Sequence, residues 1–300
     1  MNVIAPIFKD PRIQHQFDQD GFVKIKLLDE KKAKELYDYY IDHQKDHDVI
    51  DGLYHSTTHT NNPDLIREID NQIKSALLSE LEGPFQNYEP MMCTYITKQP
   101  GEGSETKIHQ DPTFVDESRF VSANVWVALH DIDHDNGNMF FVKGTQRYMP
   151  SLRVTPACPT AYDEVKDMLP ENITEVSVKA GEAIVINHAT MHGATPNLSD
   201  HARIAAVIAI RSAASDWIYH YWEPGTSKDK IEKYSFDLDA FIHLKKDGRP
   251  ENRNFLGYIE WGFPQISRRD FIRNIAPEKE KASSTWLEKM SLIKEKLFSF

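Results

Sequence analysis

Apolar positions recur with a helical period along the first ninety residues, and from residue 91 they crowd into short runs of the kind strands accommodate. GFVKIKLL, residues 21–28, alternates apolar and basic side chains and predicts a strand, after which Asp29 caps a helical segment, EKKAKELYDYYIDHQKDHD. A polar stretch, LYHSTTHTNNP, leads to a second helix from Asp64 to Leu81. Its Leu65, Ile66, Ile69, Ile73, Leu77 and Leu81 make one apolar stripe that needs a core to face. Then come MMCTYIT, KIHQD, RFVSANVWVAL, NMFFV, ITEVSV, EAIVIN and RIAAVIAI, punctuated by turn signals at Pro100-Gly101, Asp135-Asn136-Gly137 and Ala180-Gly181. So many short strands without helices between them predict a sandwich or barrel, not a doubly wound sheet. After Trp222 the pattern weakens until SSTWLEKMSLIKEKLF, an amphipathic helix whose polar face carries both charge signs. It is read as packing on the barrel exterior or as the partner face of a homodimer, ahead of a membrane-surface role. No internal repeat or low-complexity linker divides the chain, so residues 1–300 are read as one domain. An N-terminal strand and supporting helices occupy 1–90, a β-rich core 91–222 and an extension 223–300.

Composition narrows the partners. A chain of 300 residues, 40% hydrophobic, is long enough for a substantial core, and its formal charge of −11 disfavours a phosphate backbone as ligand. Nucleic acid is therefore not expected. The two cysteines, Cys93 and Cys158, form no CxxC pair, which argues against a disulfide framework or a zinc ribbon and fits a reducing compartment. MNVIAPIFKDP is too short an apolar run for a signal peptide, and no stretch approaches the roughly 20 apolar residues of a membrane span. A soluble, cytoplasmic protein is the expectation, with no peroxisomal signal in the terminal Phe-Ser-Phe.

Candidate chemistry centres on His109-Gln110-Asp111, at the end of a predicted strand. In extended chain, residues i and i+2 point to the same side, so the imidazole and the carboxylate can grip one metal ion. A third ligand should come from a later strand, where INHATMHGATPN offers His188 and His192; spacing alone leaves both open. Arg203 opens the apolar strand RIAAVIAI, and a cation buried there would need an anionic partner such as a dicarboxylate. Other clusters are weaker. His130-Asp131-Ile132-Asp133-His134-Asp135 precedes an Asn-Gly turn and reads as a solvated loop. His55 and His59 lie in the polar HSTTHT stretch, read as a surface loop that could also fold over the barrel mouth and touch substrate. GEGSE, residues 101–105, lacks the strand-before, helix-after context of a phosphate loop and reads as a mobile flap. HExxH and GxSxG are absent.

Three stretches together resemble the phytanoyl-CoA dioxygenase family of iron(II)/2-oxoglutarate-dependent oxygenases, across roughly Met91 to Arg211. TYITKQPGEGSETKIHQD is similar to that family's strand, glycine-containing loop and ligand strand. NVWVALHDIDHDNGNMFFVKGTQ is similar to its tryptophan-bearing strand and following turn, and MHGATPNLSDHAR to its His-Gly segment with an arginine eleven residues later. The resemblance implies a double-stranded β-helix, a cupin-like jelly roll that is mainly β with flanking helices. It implies His109, Asp111 and His192 as iron ligands, preferring His192 to His188, and Arg203 as anchor for the distal carboxylate of 2-oxoglutarate. Gln110, Tyr95 and Trp126 are implied as co-substrate neighbours. Two imidazoles and a carboxylate leave three coordination positions for 2-oxoglutarate and O2. The implied outcome is hydroxylation of an unactivated C–H bond with release of succinate and CO2. Related halogenases have a small residue in place of the carboxylate, so Asp111 favours hydroxylation. The chain departs from the family at Lys143-Gly144-Thr145-Gln146, where a Pro-Gly-Ser-His type of turn is common, and at Ala194, where some relatives have a small hydroxyl residue.

The expected substrate is a small, polar metabolite such as an amino acid or related acid. Acidic composition and the polar HSTTHT loop lean that way, while an acyl-CoA would want a basic patch. Alternatives are an acyl-CoA or lipid-like substrate, a protein substrate, a cupin-type metal enzyme that does not use 2-oxoglutarate, and a non-catalytic binding module.

Overall fold

The computed structural model describes residues 5–43, 52–149, 152–156, 160–223, 225–226, 230–244, 248–250 and 255–275. The expected terminal amphipathic helix and Cys158 lie outside these residues. Two facing sheets make the core. The larger runs in the order β1 (Phe22–Lys26), β8 (Glu182–Asn187), β5 (Ser122–Ala128), β10 (Arg203–Ser212), β3 (Tyr88–Lys98), β2 (Tyr54–Ser56), with antiparallel pairing throughout. The smaller runs β4 (Thr106–His109), β9 (His192–Ala194), β6 (Met139–Val142), β7 (Ile173–Val176). Most neighbours in both sheets are not consecutive in the chain, the topology of the double-stranded β-helix that the family resemblance implies and one form of the barrel or sandwich that the short strands predict.

Period-2 alternation assigns the side chains of the larger sheet to two faces, both of them largely buried across the central strands. On one face, Cys93, Tyr95, Val125, Val127, Ile204, Ala206 and Ile208 pack against helices. These are α2 (Glu30–His43) and α3 (Pro63–Leu81), the latter through Ile69, Ile73, Leu77 and Leu81. Asn62 caps α3 by accepting from the Leu65 amide, and Pro63 occupies its first turn, where a missing N–H costs nothing. On the other face, Trp126, Ala128, Ile184, Ala205 and Val207 meet Met139, Phe141 and Ala194 of the smaller sheet. Phe22 stacks on Phe141 across the gap at 4.0 Å between ring centroids.

A further helix, α1 (Pro11–Asp20), precedes β1 and carries no apolar stripe, since Phe17 is its one buried residue. Its ends explain it: Asp10 accepts from the Arg12 amide, and Gly21 ends it at φ 82°. A Cβ on Gly21 would come within 2.2 Å of Thr190 Oγ1, so glycine is required here twice over. The N-terminal ninety residues therefore supply both edge strands of the larger sheet, β1 and β2, as well as helices. The extension after residue 222 is structured too. It continues a third sheet, β11 (Ile218–Tyr221), β12 (Ile231–Ser235) and β13 (Phe255–Ile259), and adds α4 (Leu238–His243) and α5 (Arg268–Ile275). GEGSE is anchored: Gly101 N–H donates to Asn197 O, and Ser104 Oγ accepts from Asn197 N–H.

Candidate metal centre

The two strands that meet at the edge of the smaller sheet bring two imidazoles side by side, because the β4–β9 register pairs His109 directly with His192. Their ring centroids are 4.4 Å apart. Asp111 follows β4, held by donation from its N–H to His188 O at 3.0 Å. Its Oδ1 lies 3.8 Å from His109 Nε2 and its Oδ2 3.9 Å from His192 Nε2. One donor atom from each of the three falls within 4.8 Å of the others.

Protonation suits a cation. His109 Nδ1 is 2.8 Å from Lys107 O and His192 Nδ1 is 2.9 Å from Thr190 O. A carbonyl only accepts, so each Nδ1 carries the proton and each Nε2 turns a lone pair inward. Burial and the neighbouring His109 push His192 down to about 4, which keeps it neutral near pH 7. Burial alone would raise the Asp111 carboxyl, but His192, His188, His109 and Arg153 overcome it and hold the group below its ordinary value. Asn124 Nδ2 donates to Asp111 Oδ2 at 3.0 Å and sets the carboxylate plane. Two imidazoles with Nε2 turned inward and one carboxylate, each oriented by a second partner, are a fitting donor set for iron(II).

Arg203 enters the same cavity from β10, which Tyr54, Trp126, Ile96 and Val207 also line. It is 2% exposed. Its Nη1 donates to Gly137 O at 2.8 Å, its guanidinium lies 5.3 Å from the Trp126 ring centroid, and its Nε has no protein partner. Burial depresses it to about 10, with Tyr54 opposing, so it stays a cation at neutral pH. A buried guanidinium with an unsatisfied donor is a fitting anchor for a carboxylate.

The remaining sequence expectations divide by strand parity. Trp126 faces this cavity. Tyr95 does not: it lies on the helix face of β3, where its hydroxyl donates to Gln72 Oε1 at 2.8 Å and contacts Leu36 O. Gln110 turns away from the Arg203 cavity, donating to Ala189 O at 2.5 Å, and lines a second cavity that adjoins it at His109. His55 is buried opposite Thr97 on the edge strand β2, with both ring nitrogens unpartnered, and His59 sits in the following turn. Neither lines the cavity of the triad. His188 Nδ1 bonds Ser122 Oγ at 2.8 Å, and its ring packs edge-on to Phe114. His130 receives the Ile204 N–H at its Nε2, and His134 pairs with Glu175; neither joins a metal cluster among the described residues.

Three residues in or beside the site escape sequence reasoning. Tyr54 is one position before His55, so it takes the opposite face and looks at Arg203 and Asp111. Burial, with Arg203 opposing and Asp111 adding to it, raises its phenol to about 12 although the residue as a whole is 38% exposed; the hydroxyl end is the desolvated part. Asn124 shares the parity of Trp126, which is the signal that could have found it. Lys98 pairs across from Arg203 and is fully buried, with Nζ donating to Ala194 O and Thr195 O. Burial and the Arg203 charge depress its ammonium to about 7, opposed by Glu105.

Comparison with known proteins agrees with this geometry. The family model for phytanoyl-CoA dioxygenase (PhyH) matches residues 13–205. Phytanoyl-CoA dioxygenase domain-containing protein 1 of Danio rerio is 30% identical over 146 residues, 46% of this chain and 50% of that protein. Phytanoyl-CoA dioxygenase 1 of Oryza sativa subsp. japonica is 28% identical over 156 residues, 49% and 53% respectively. The chain thus spans about half the length of the curated relatives it matches. Among solved structures, the non-heme alpha ketoglutarate dependent epimerase SnoN from nogalamycin biosynthesis shares the fold at 20% identity and a TM-score of 0.51, over 86% of this chain and 93% of that one. SnoN has also been solved in complex with Fe3+, alpha ketoglutarate and nogalamycin RO, and that chain matches at 18% identity and a TM-score of 0.50 over 82% of this chain and 98% of that one. With a match across most of the β core and the metal-binding geometry in place, the chain belongs to the phytanoyl-CoA dioxygenase (PhyH) family.

Proposed function

We propose that the protein is an iron(II)/2-oxoglutarate-dependent hydroxylase of a small molecule. The observation that carries this reading is one cavity holding both a convergent His109, Asp111, His192 triad and a buried Arg203 with an unsatisfied donor. His109, Asp111 and His192 would hold the iron, and Arg203 the distal carboxylate of 2-oxoglutarate. Bound iron supplies the centre at which 2-oxoglutarate and O2 become succinate and CO2 while one oxygen atom enters a substrate C–H bond. This chain's own part is binding, orientation and exclusion of water. Trp126 would wall the co-substrate beside Arg203, Asn124 fixes the Asp111 carboxylate, and Tyr54 lines the same cavity as Arg203 and Asp111. Family membership and the ligands of SnoN support the cofactor pair.

Anaerobic titration with iron(II) and then 2-oxoglutarate tests the reading. A metal-to-ligand charge-transfer band is expected, with succinate formed once oxygen is admitted. If the wild-type protein shows no band, or the band survives unchanged in Asp111→Ala and Arg203→Ala, the assignment fails.

A further inference from the structure

A second cavity of about 270 Å³ opens beside the metal centre, and the two share His109. Of the three triad residues, His109 is the one that lines it. Its apolar lining includes Leu152, Val154, Tyr162, Trp261 and Phe263, the last two delivered by the chain segment that follows β13. Trp261 packs with Leu152 and Val154, and Phe263 stacks near Trp222 at 5.0 Å, so this aromatic wall is braced from behind.

The charges in the cavity are already matched. Arg153 lines it but is only 6% exposed. Its guanidinium makes paired bonds to Glu117 at 2.5 and 2.6 Å, and its Nε donates to Asp111 O at 2.6 Å. Among the described lining residues no other lysine, arginine, aspartate or glutamate appears. A carboxylate or phosphate entering here would be desolvated without a counter-ion, whereas a neutral ring would cover flat apolar surface. Its polar lining residues besides Arg153 include the uncharged Gln110, Thr155 and Thr160, of which the Gln110 amide donates to Ala189 O and the Thr160 hydroxyl to Asp163, leaving oxygen acceptors for a hydroxyl group.

We propose that this cavity is the substrate pocket, and that the portion of the substrate it admits is an uncharged, hydroxyl-bearing ring seated against Trp261. The proposal rests on the hydroxylase reading above and narrows its substrate class, away from free acids and acyl-CoA thioesters. Trp261 is then a specificity-determining residue.

The test uses the full chain loaded with iron(II) and 2-oxoglutarate and reads succinate release above the substrate-free rate. The panel contains phenyl β-D-glucoside and catechin as neutral ring compounds, and phenyl β-D-glucuronide, L-phenylalanine and acetyl-CoA as charged ones. At least one neutral compound is expected to stimulate release at least tenfold over any charged one. Trp261→Ala should raise the KM of that compound at least tenfold, and Trp261→Phe should keep it within about threefold of wild type. A charged compound as the best stimulant, no stimulation by any member, or an unchanged KM in Trp261→Ala overturns the proposal. Loss of the charge-transfer band in the wild type would instead bring down the hydroxylase reading itself, so the two failures are distinguishable.

Discussion

The larger sheet has two buried faces that look alike in hydropathy and differ completely in purpose. Its helix face is closed by aliphatic packing, with Tyr95 as a polar tip that finds two oxygen partners. Its cavity face carries Arg203, Lys98 and Asn124, three polar groups whose burial costs free energy unless something answers them. Lys98 is answered by backbone carbonyls and Asn124 by Asp111; Arg203 retains one unsatisfied donor. Adjacent residues on one strand therefore serve stability and ligand binding in turn, and substitutions one position apart should separate the two.

The largest effect belongs to Asp111→Ala, which removes the one anionic ligand. Iron(II) affinity should fall by more than about 100-fold, beyond the range for losing a ligand's supporting partner. Circular dichroism and iron-binding calorimetry check that the fold persists while the metal is lost. Next, Arg203→Met should raise the KM for 2-oxoglutarate about 100-fold through loss of a desolvated ionic contact, with the iron affinity measured alone staying within severalfold of wild type. On the opposite face, Leu77→Ala should cost about 2–5 kcal/mol in urea unfolding through the cavity it leaves. At low temperature its charge-transfer band should match the wild type; a weakened band would show that the faces are coupled. Tyr95→Phe is the smallest and the sharpest, about 1 kcal/mol of stability for the lost hydroxyl contacts, with no change in the KM for 2-oxoglutarate. A tenfold rise in that KM would place Tyr95 back at the co-substrate.

Acid should expose the buried imidazoles away from the ligand set. His220 is held at about 4 chiefly by burial, well below its ordinary 6.5, and is neutral in the fold. The unfolded chain takes up its proton first as pH drops, so His220 contributes full stability above about 6.5 and loses it progressively down to about 4. The expected slope is on the order of 1 kcal/mol per pH unit within that window. Urea midpoints of wild type and His220→Gln at pH 7 and pH 5 measure it, and equal pH dependence in the two proteins would contradict the assignment.

The sequence alone determined the strand-rich core, the two amphipathic helices and the placing of His109 and Asp111 on one side of a strand end. Strand alternation, the α3 stripe and the i, i+2 spacing of His109 and Asp111 are local properties of covalent chain and side-chain volume. It did not show α1, whose ends rather than an apolar face define it, nor the order in the extension after residue 222 that brings Trp261 into the cavity beside His109. Only tertiary structure decided which face each strand residue joins. Both faces of the larger sheet are buried, so hydropathy cannot tell Tyr95 from Trp126, or His55 from Tyr54. Register settles each pair, because one residue of shift exchanges the faces, and register is set by strands far apart in sequence: β10 beside β3, β9 beside β4, β2 at the sheet edge.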